Sequence, residues 1–596
     1  MGSLAFYPVD PGMPVVTGTS YYVDASTVGT EVGTIENPFR TLAQASAQSL
    51  SAGDAMLFKK GETFIGEFEA NYIGEVNNRI LYGSYGDGEH PIISTLIDQP
   101  LTWTDVGDNV WESVEDVVII TRLYRNNAEI MGAYGAPLGT TQPDLCEWDL
   151  NGAKLQVYND PTSDTFQFAS NEHTFRAVDG RGLYFYGLDI RGGREAGLYG
   201  TAWEDVTVSY CKLSRDCYYG LRVKNHYFNN GNANVLIDNN FVQSGWTLDY
   251  KEAGIDADSF RGAREGMMIT DNFSDYTITN NYFQDHCHSA INIYDNHVEG
   301  GIRNLVINNN YFTSPTIPYG GRIVAYGWDL VGYEIAYNVF EDQFGAREQI
   351  DGHDGYIHHN IWKNVRDSLI DPVGAEGVCI RMNAEHGLVR NNIIENNVFY
   401  ECQGSLDFGS GTTFAEGGGM ELITIRNNIF YNTSEEDIYN SVPIRMFNGN
   451  NVEMNRLYTM QNNMSFCTSN ALFGVSLGGW EATDRIGVVQ FESETTAQGH
   501  TCNGNITADP LFVDAEAFML GAGSPAIGVG LVPLATIDYN GNEIVQGSEG
   551  TGYDLGLYNQ GSEPVVADRT GMTDIKQGYT TGMLDDFRDK ALAQYV

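Results

Sequence analysis

Arg222, Lys224, Arg322, His353 and Arg381 stand out in a chain that is otherwise strongly acidic. Its 33 Lys and Arg face 78 Asp and Glu, for a formal net charge of −45, so any local basic cluster runs against the background. These residues lie in short segments that align with one another: Gly220–Lys224, Gly266–Thr270, Ala290–Tyr294, Arg322–Tyr326, Gln349–His353 and Cys379–Asn383. In a strand, successive side chains point to opposite faces. Leu221, Ile291, Ile293, Ile323, Ile350, Ile380 and Met382 then point inward. One outward column reads Arg222, Met268, Asn292, Val324, Asp351 and Arg381, and a second reads Lys224, Thr270, Tyr294, Tyr326, His353 and Asn383. Arg322 and Gln349 fall in a third.

Such a face can handle an anionic sugar polymer. In β-elimination the uronate carboxylate must be neutralised and a base must remove the neighbouring proton. Arg222, Arg322 and Arg381 are the candidate neutralisers. Lys224, His353, Tyr294 and Tyr326 are the candidate bases or acids, and Asn292 and Asn383 the candidate sugar ligands. Hydrolysis instead needs two carboxyl groups about 5–9.5 Å apart. Asp256, Asp258, Glu265, Asp351 and Asp354 could supply them, and Asp351 serves either scheme. The basic character of the face favours elimination over hydrolysis, and both over binding without catalysis. A polar sheet with scattered charges is the alternative without function.

Two flanking stretches extend the set. Residues 244–265 make up most of the longest gap between repeats and read as a long loop, of the kind that often carries function on a rigid scaffold. Its Asp256, Asp258, Arg261, Arg264 and Glu265 would wall a groove. Asp285-His-Cys-His288 precedes the Tyr294 segment. His288 could bind sugar or act as a base at the groove edge, sit at a hydrogen-bonded corner, or join a zinc site. Calcium suits the supply of Asp, Glu and Asn side chains, although no Asp-x-Asp-x-Asp-Gly loop is present.

The elements that position these residues follow from a recurring phrase. It reads Ile237-Asp-Asn-Asn-Phe-Val242, Ile278-Thr-Asn-Asn-Tyr-Phe283, Ile307-Asn-Asn-Asn-Tyr-Phe312 and Ile335-Ala-Tyr-Asn-Val-Phe340. It returns as Ile357-His-His-Asn-Ile-Trp362, Val389-Arg-Asn-Asn-Ile-Ile394 and Ile425-Arg-Asn-Asn-Ile-Phe430. The fourth position is always Asn: Asn240, Asn281, Asn310, Asn338, Asn360, Asn392 and Asn428. A fixed motif at variable spacing marks one supersecondary unit stacked repeatedly, with insertions at loops. Stacking would let these Asn bond along a ladder, so they are read as structural.

Composition sets further bounds. A 596-residue chain would ordinarily split into several domains, but a solenoid grows along one axis. The 68 Gly fit many tight turns, and 17 Pro with 19% charged residues are not a disordered composition. The negative charge excludes nucleic acid and anionic membranes as partners. The eight Cys form no CxxC pair and read mainly as buried free thiols. No apolar run is long enough to span a membrane. No signal-peptide pattern follows Met1-Gly-Ser, so the protein is expected to be extracellular with its leader missing, or virion-associated.

The stretch Tyr21-Tyr-Val-Asp24, with Gly33-Thr34, Asn37-Pro-Phe-Arg-Thr-Leu-Ala-Gln-Ala45 and Ala52-Gly-Asp-Ala-Met-Leu-Phe-Lys-Lys-Gly61, resembles the opening of bacterial and phage right-handed parallel β-helix proteins. That group includes polysaccharide lyases, glycosidases and tailspike depolymerases. Asp509-Pro-Leu-Phe-Val513, Gly523-Ser-Pro-Ala-Ile-Gly528, Asp538-Tyr-Asn-Gly541 and Asp554-Leu-Gly-Leu-Tyr558 resemble its closing rungs. The resemblance implies an all-β solenoid. Residues 1–60 would be a lead-in and N-terminal cap, with Thr41 capping a short helix. Residues 61–562 would be the β-helix, with an irregular insertion around 85–180. Residues 563–596 would be a short appendix, where Leu584, Phe587 and Leu592 suggest an amphipathic helix. It also implies an endo-acting depolymerase of an acidic polysaccharide, or a hydrolase working as a trimeric tailspike, or a glycan-binding adhesin; a monomer and a homotrimer are both compatible. The sequence matches no lyase family's catalytic pattern, so no catalytic pair is carried over, and one fold hosts many chemistries.

Overall fold

The computed structural model describes residues 8–70, 72–117, 122–130, 148–169, 171–214, 219–224, 234–243, 265–286, 289–295, 301–314, 322–343, 347–366, 377–382, 388–408, 419–432, 444–446, 458–467, 472–475, 485–514, 518–539, 542–546 and 552–557. Short strands wind through three sheets in turn. One turn of the coil runs through His173–Ala177 in the first sheet, Arg181–Tyr186 in the second and Asp189–Arg191 in the third. The chain then returns to the first sheet as Ala196–Thr201, which pairs in parallel with His173–Ala177. The result is a right-handed parallel β-helix. The first two sheets join into one because Arg322–Ala336 bends from one to the other, pairing with Ser289–Asp295 at its start and Ile302–Asn308 at its end.

The corner between the second and third sheets carries the Asn ladder. It runs through Asn240, Asn281, Asn310, Asn338, Asn360, Asn397, Asn428, Asn463 and Asn505. Each Nδ2 donates to the Oδ1 of the next rung at 2.9–3.1 Å. That Oδ1 also accepts the backbone N–H of the donor residue, as in Asn310 to Asn338 at 2.9 Å. Buried amides are satisfied in this way without water. The residue just before each Asn from 240 to 463 has φ between 51° and 58°. Asn tolerates that left-handed conformation better than most residues, which explains the doubled Asn-Asn of the phrase.

One member of the phrase does not belong. Asn392 is absent from the ladder, and Asn397 takes the corner instead. Asn392 sits at a bend within the second sheet, where it accepts from Gly355 N–H and donates to the Gly352 carbonyl. The bend repeats the Asn-Asn signature because Asn391 also takes a positive φ, of 52°.

The last residue of the phrase points inward and stacks. Phe283, Phe312, Phe340, Trp362, Phe399 and Phe430 form a continuous pile with centroids 4.7–4.9 Å apart and planes within 3–11°. That spacing is the distance between neighbouring strands, so equivalent side chains on successive rungs meet face to face. The rest of the interior is one contiguous core of Ile, Val, Leu and Met with further aromatics such as Phe68, Phe175, Phe185, Trp203 and Tyr333.

Both ends are closed by helices. Leu42–Ala47 starts at Thr41, whose side chain accepts from Gln44 N–H while Gln44 reaches back, a capping box. Leu42 and Ala45 are buried in the core. Strand pairing already begins at Ser20–Val23 with Ala55–Lys59, so the coil starts inside the region read as a lead-in. At the other end, Glu492 on the helix Val488–Ala497 accepts from both N–H and Nδ2 of Asn505 at 2.9 Å. The ladder's final donors are thereby satisfied.

The region read as an insertion holds two antiparallel four-stranded sheets. One contains Leu96–Asp98, Leu123–Arg125, Ala128–Ile130 and Phe166–Ala169, and the other Trp103–Gly107, Val110–Ser113, Trp148–Asn151 and Lys154–Tyr158. They share a small core of their own around Leu123, Trp148, Val157 and Phe166. The insertion leaves the coil after Ile92–Ser94 of the third sheet and returns at His173–Ala177 of the first. The segments resembling closing rungs are not all rungs. Described residues between 518 and 557 run back along the outside of the third sheet. Phe518, Ala526, Leu555 and Leu557 cover Tyr311, Val339, Ile361, Val398, Ile429 and Met464. Asn396 and Asn427 donate to the carbonyls of Gly556 and Leu531. Cys211, Cys379, Cys402, Cys467 and Cys502 are free thiols. No helix among the described residues is long and apolar enough to cross a membrane.

Candidate functional site

The three outer faces differ in what covers them. The third is covered, over its rungs from Tyr311 to Met464, by described residues between 518 and 557. The second is packed near its start by Val16, Tyr22 and Tyr85, and meets Leu534 and Ala535 through Glu395 and Tyr356. Most outward side chains of the first face are polar or charged, with Met268 and Val324 the apolar members of its main column. The connections 244–264, 315–321, 344–346, 367–376 and 433–443 enter its strands, and 225–233, 296–300, 383–387 and 409–418 leave them, by their places in the chain.

Strand pairing fixes one outward column on this face. It reads Glu69, Arg176, Tyr199, Arg222, Met268, Asn292, Val324, Gln349, Arg381 and Asp407. Beside it lie Thr201, Lys224, Thr270, Tyr294, Tyr326 and Asp351. At the rung of residues 347–353 alone the sequence alignment is therefore two residues out, and Arg381 on the next rung keeps its expected column. Asp351 belongs to the column of Lys224, and Gln349 takes its expected place beside Arg381. The strand Arg347–His353 bends between Asp351 and His353, as Arg322–Ala336 does before it. His353 consequently leaves the first face and pairs with Val331 and Arg390 in the second sheet. There its Nδ1 lies 2.7 Å from Asp354 Oδ2. A bend that adds no residue leaves no mark in an alternation pattern.

The remaining predicted residues fall as follows. Arg222 and Lys224 share one strand and one face, and Lys224 is exposed. Arg222 Nη1 is 2.5 Å from Glu195 Oε1, and its guanidinium lies 4.8 Å from the Tyr219 ring centre. Its Nε has no hydrogen-bond partner. Tyr294 lies two rungs beyond Lys224 in the same column. Asn292 is buried and donates to Glu265 Oε1 at 3.0 Å. Glu265 is thus the buried first residue of the strand Glu265–Thr270, not part of an exposed groove wall. Asp351 is fully buried and accepts from Gln349 Nε2 at 3.1 Å. Arg381 Nε is 3.7 Å from the buried Asp407. Arg322 and Tyr326 have their backbones in the long strand, but their side chains lie outside the described residues. So do Asp256, Asp258, Arg261, Arg264, His288 and Asn383. His286 is fully buried, and burial pushes its pKa down to about 3.

The face is not uniformly basic. Arg176 pairs with Glu69 at 3.0 Å, Arg222 with Glu195 and Arg381 with Asp407. It is a polar strip of matched charges. The sequence alignment started at residue 220 and so missed the earlier rungs, where Glu172, His173, Glu195 and Tyr199 gather. His173 stacks on Tyr199 with centroids 4.0 Å apart. Burial pushes the His173 pKa down to about 4, while Glu172 pulls the other way. Alternation marks Tyr199 as outward beside Arg176, but it groups His173 with the inward Phe175 and Ala177, so no pattern in the sequence marked the cluster.

Residues 166–340 match the family described as the right handed beta helix region. The chain is a right-handed parallel β-helix protein. A search of curated proteins returns no significant match. Among solved structures, a lacto-N-biosidase from Eubacterium ramulus is similar at 14% identity and a TM-score of 0.42, covering 75% of this chain and 68% of its own. A pectate lyase is similar at 14% identity and a TM-score of 0.40, covering 91% and 96%. A surface adhesin of Streptococcus pneumoniae is similar at 10% identity and a TM-score of 0.34, covering 74% and 83%. None of them lends a residue role to this β-helix.

Proposed function

We propose that this β-helix binds an acidic polysaccharide along its first sheet and depolymerises it by β-elimination, as an extracellular or virion-associated protein. The observation that carries this reading is the outward pair Arg222 and Lys224 on one strand. Glu195 and Tyr219 hold the guanidinium in place while its Nε keeps a donor to spare. A buried guanidinium donor without a partner favours an incoming oxyanion, and the substrate carboxylate is such a group.

In this scheme the Arg222 side draws charge from the uronate carboxylate. Lys224 takes the proton from the adjacent carbon. The electron pair forms the new carbon–carbon double bond, and the bond to the glycosidic oxygen breaks. Tyr294, two rungs along, returns a proton to the leaving oxygen.

The test is digestion of pectate, alginate and glycosaminoglycans followed by ultraviolet absorbance of the unsaturated uronate. Absorbing product that disappears in Lys224→Ala is the expected result, with a rate loss of about 10²–10⁴-fold. New reducing ends without absorbance would replace elimination by hydrolysis. Tight binding with neither product would make the protein an adhesin.

A further inference from the structure

We propose a divalent metal site formed by Glu172, His173 and Glu195, at the start of the first sheet where the antiparallel insertion rejoins the coil. One donor atom from each residue lies within 4.8 Å of the others. The backbone holds this arrangement. Glu195 N–H donates to the Glu172 carbonyl at 2.8 Å, and Arg194 N–H to that of Asn171 at 2.9 Å. Glu172 and Glu195 are therefore stacked on adjacent rungs. Like charges placed directly opposite across a strand pair destabilise it, and a cation between them removes that penalty.

Two further observations point to a ligand. His173 is only 6% exposed, yet neither ring nitrogen makes a hydrogen bond. Nδ1 has no partner, and Nε2 stands 3.7 Å from Glu195 Oε2, too far for one. A buried imidazole without a hydrogen bond is an orphan that a bound ion would satisfy. Glu195 is also divided between tasks. Its Oε1 is held by Arg222, which leaves Oε2 turned toward His173. Such a hydrogen bond to a ligating carboxylate is the usual outer-shell support of a metal. Three protein ligands would leave open positions, as in catalytic rather than structural sites. An imidazole in the set favours a transition ion such as manganese or zinc over calcium.

The neighbours set the ion's use. Arg222 lies against one ligand, and Arg176 is paired with Glu69 nearby. Two carboxylate ligands would compensate the ion, and Arg222 would lie beside it through Glu195. An incoming substrate carboxylate would complete the coordination. That use rests on the acidic-polysaccharide reading, whereas ion binding does not.

The test uses the full-length chain, stripped with chelator and titrated with Mn²⁺ alone by calorimetry and paramagnetic resonance. Mn²⁺ is chosen because the free thiols ligate it poorly. The expected result is one saturable site, weakened at least about tenfold in Glu172→Gln and lost in His173→Gln. Glu172 is exposed, so Glu172→Gln leaves folding intact, and circular dichroism checks His173→Gln. Absent uptake, or uptake unchanged in Glu172→Gln, overturns the site. Unsaturated product without metal uptake would leave elimination standing and sink only this proposal. Metal uptake without any cleavage would do the reverse.

Discussion

Replacing Asn338 by Ala should cut the corner ladder at its middle. Asn338 is fully buried. Its Oδ1 accepts from Asn310 N–H at 2.9 Å and Asn310 Nδ2 at 3.1 Å. Its Nδ2 donates to the Ile307 carbonyl at 2.8 Å and to Asn360 Oδ1 at 3.0 Å. Asn360 Oδ1 keeps the Asn338 backbone N–H, and Asn310 Nδ2 keeps the Ile278 carbonyl. The groups most exposed to loss are the Asn310 N–H and the Ile307 carbonyl. A buried polar group left unmet costs about 1–3 kcal/mol, so the substitution should destabilise by about 2–6 kcal/mol in total. A water entering the gap would bring the loss to the lower end. Long repeat arrays depart from two-state unfolding, so hydrogen exchange on the rungs holding Asn310 and Asn360 should accompany denaturant midpoints. Gln461→Ala, at an exposed side-chain contact with Asn503, is the control and should stay within about 0.5 kcal/mol. A loss at Asn338 below about 1 kcal/mol, with exchange unchanged, would refute the ladder's role.

Other outcomes follow from the same geometry. Trp362→Ala removes the centre of the aromatic pile and should cost about 3–5 kcal/mol, read as a fall in melting temperature. Glu492→Ala should leave Asn505 N–H unmet and raise hydrogen exchange over residues 458–505 while the N-terminal rungs stay protected. Acid should destabilise the protein before its carboxylates titrate. Burial, aided by Lys212, pushes the His90 pKa down to about 4, and His286 is pushed down to about 3. The unfolded chain then binds more protons than the folded one between these values and the ordinary 6.5. Stability is full above about pH 6.5 and falls as pH drops toward 4, by about 3 kcal/mol for His90 alone. A melting temperature flat from pH 7 to about 4.5 would contradict this.

Local chemistry made the fold legible. An apolar pair preceded by Asn-Asn encodes a left-handed corner, a ladder amide and an inward aromatic within six residues, so stacking could be read directly from Ile278–Phe283 or Ile307–Phe312. The capping box at Thr41 was equally local. The site was less legible, because its partners come from different rungs. Nothing in the spacing of Glu172 and Glu195 announces that adjacent rungs stack them, or that Arg222 on the next rung holds one of them. Asn392 shows the limit from the other side. Its Asn-Asn matches the phrase, yet the same backbone preference serves a bend within a sheet five residues before the true corner at Asn397.

The sequence by itself determined the solenoid, the inward and outward alternation, and the placing of Arg222 and Lys224 on one face, since each depends on residues within a strand or a turn. Tertiary structure alone decided the register across rungs. It moved His353 to the second sheet, sank Asp351, Glu265 and Asn292 beneath the surface, and compensated Arg222 and Arg381 with carboxylates. Register depends on where the chain bends and how many residues each loop takes up, and neither quantity is carried by the alternation of polar and apolar side chains.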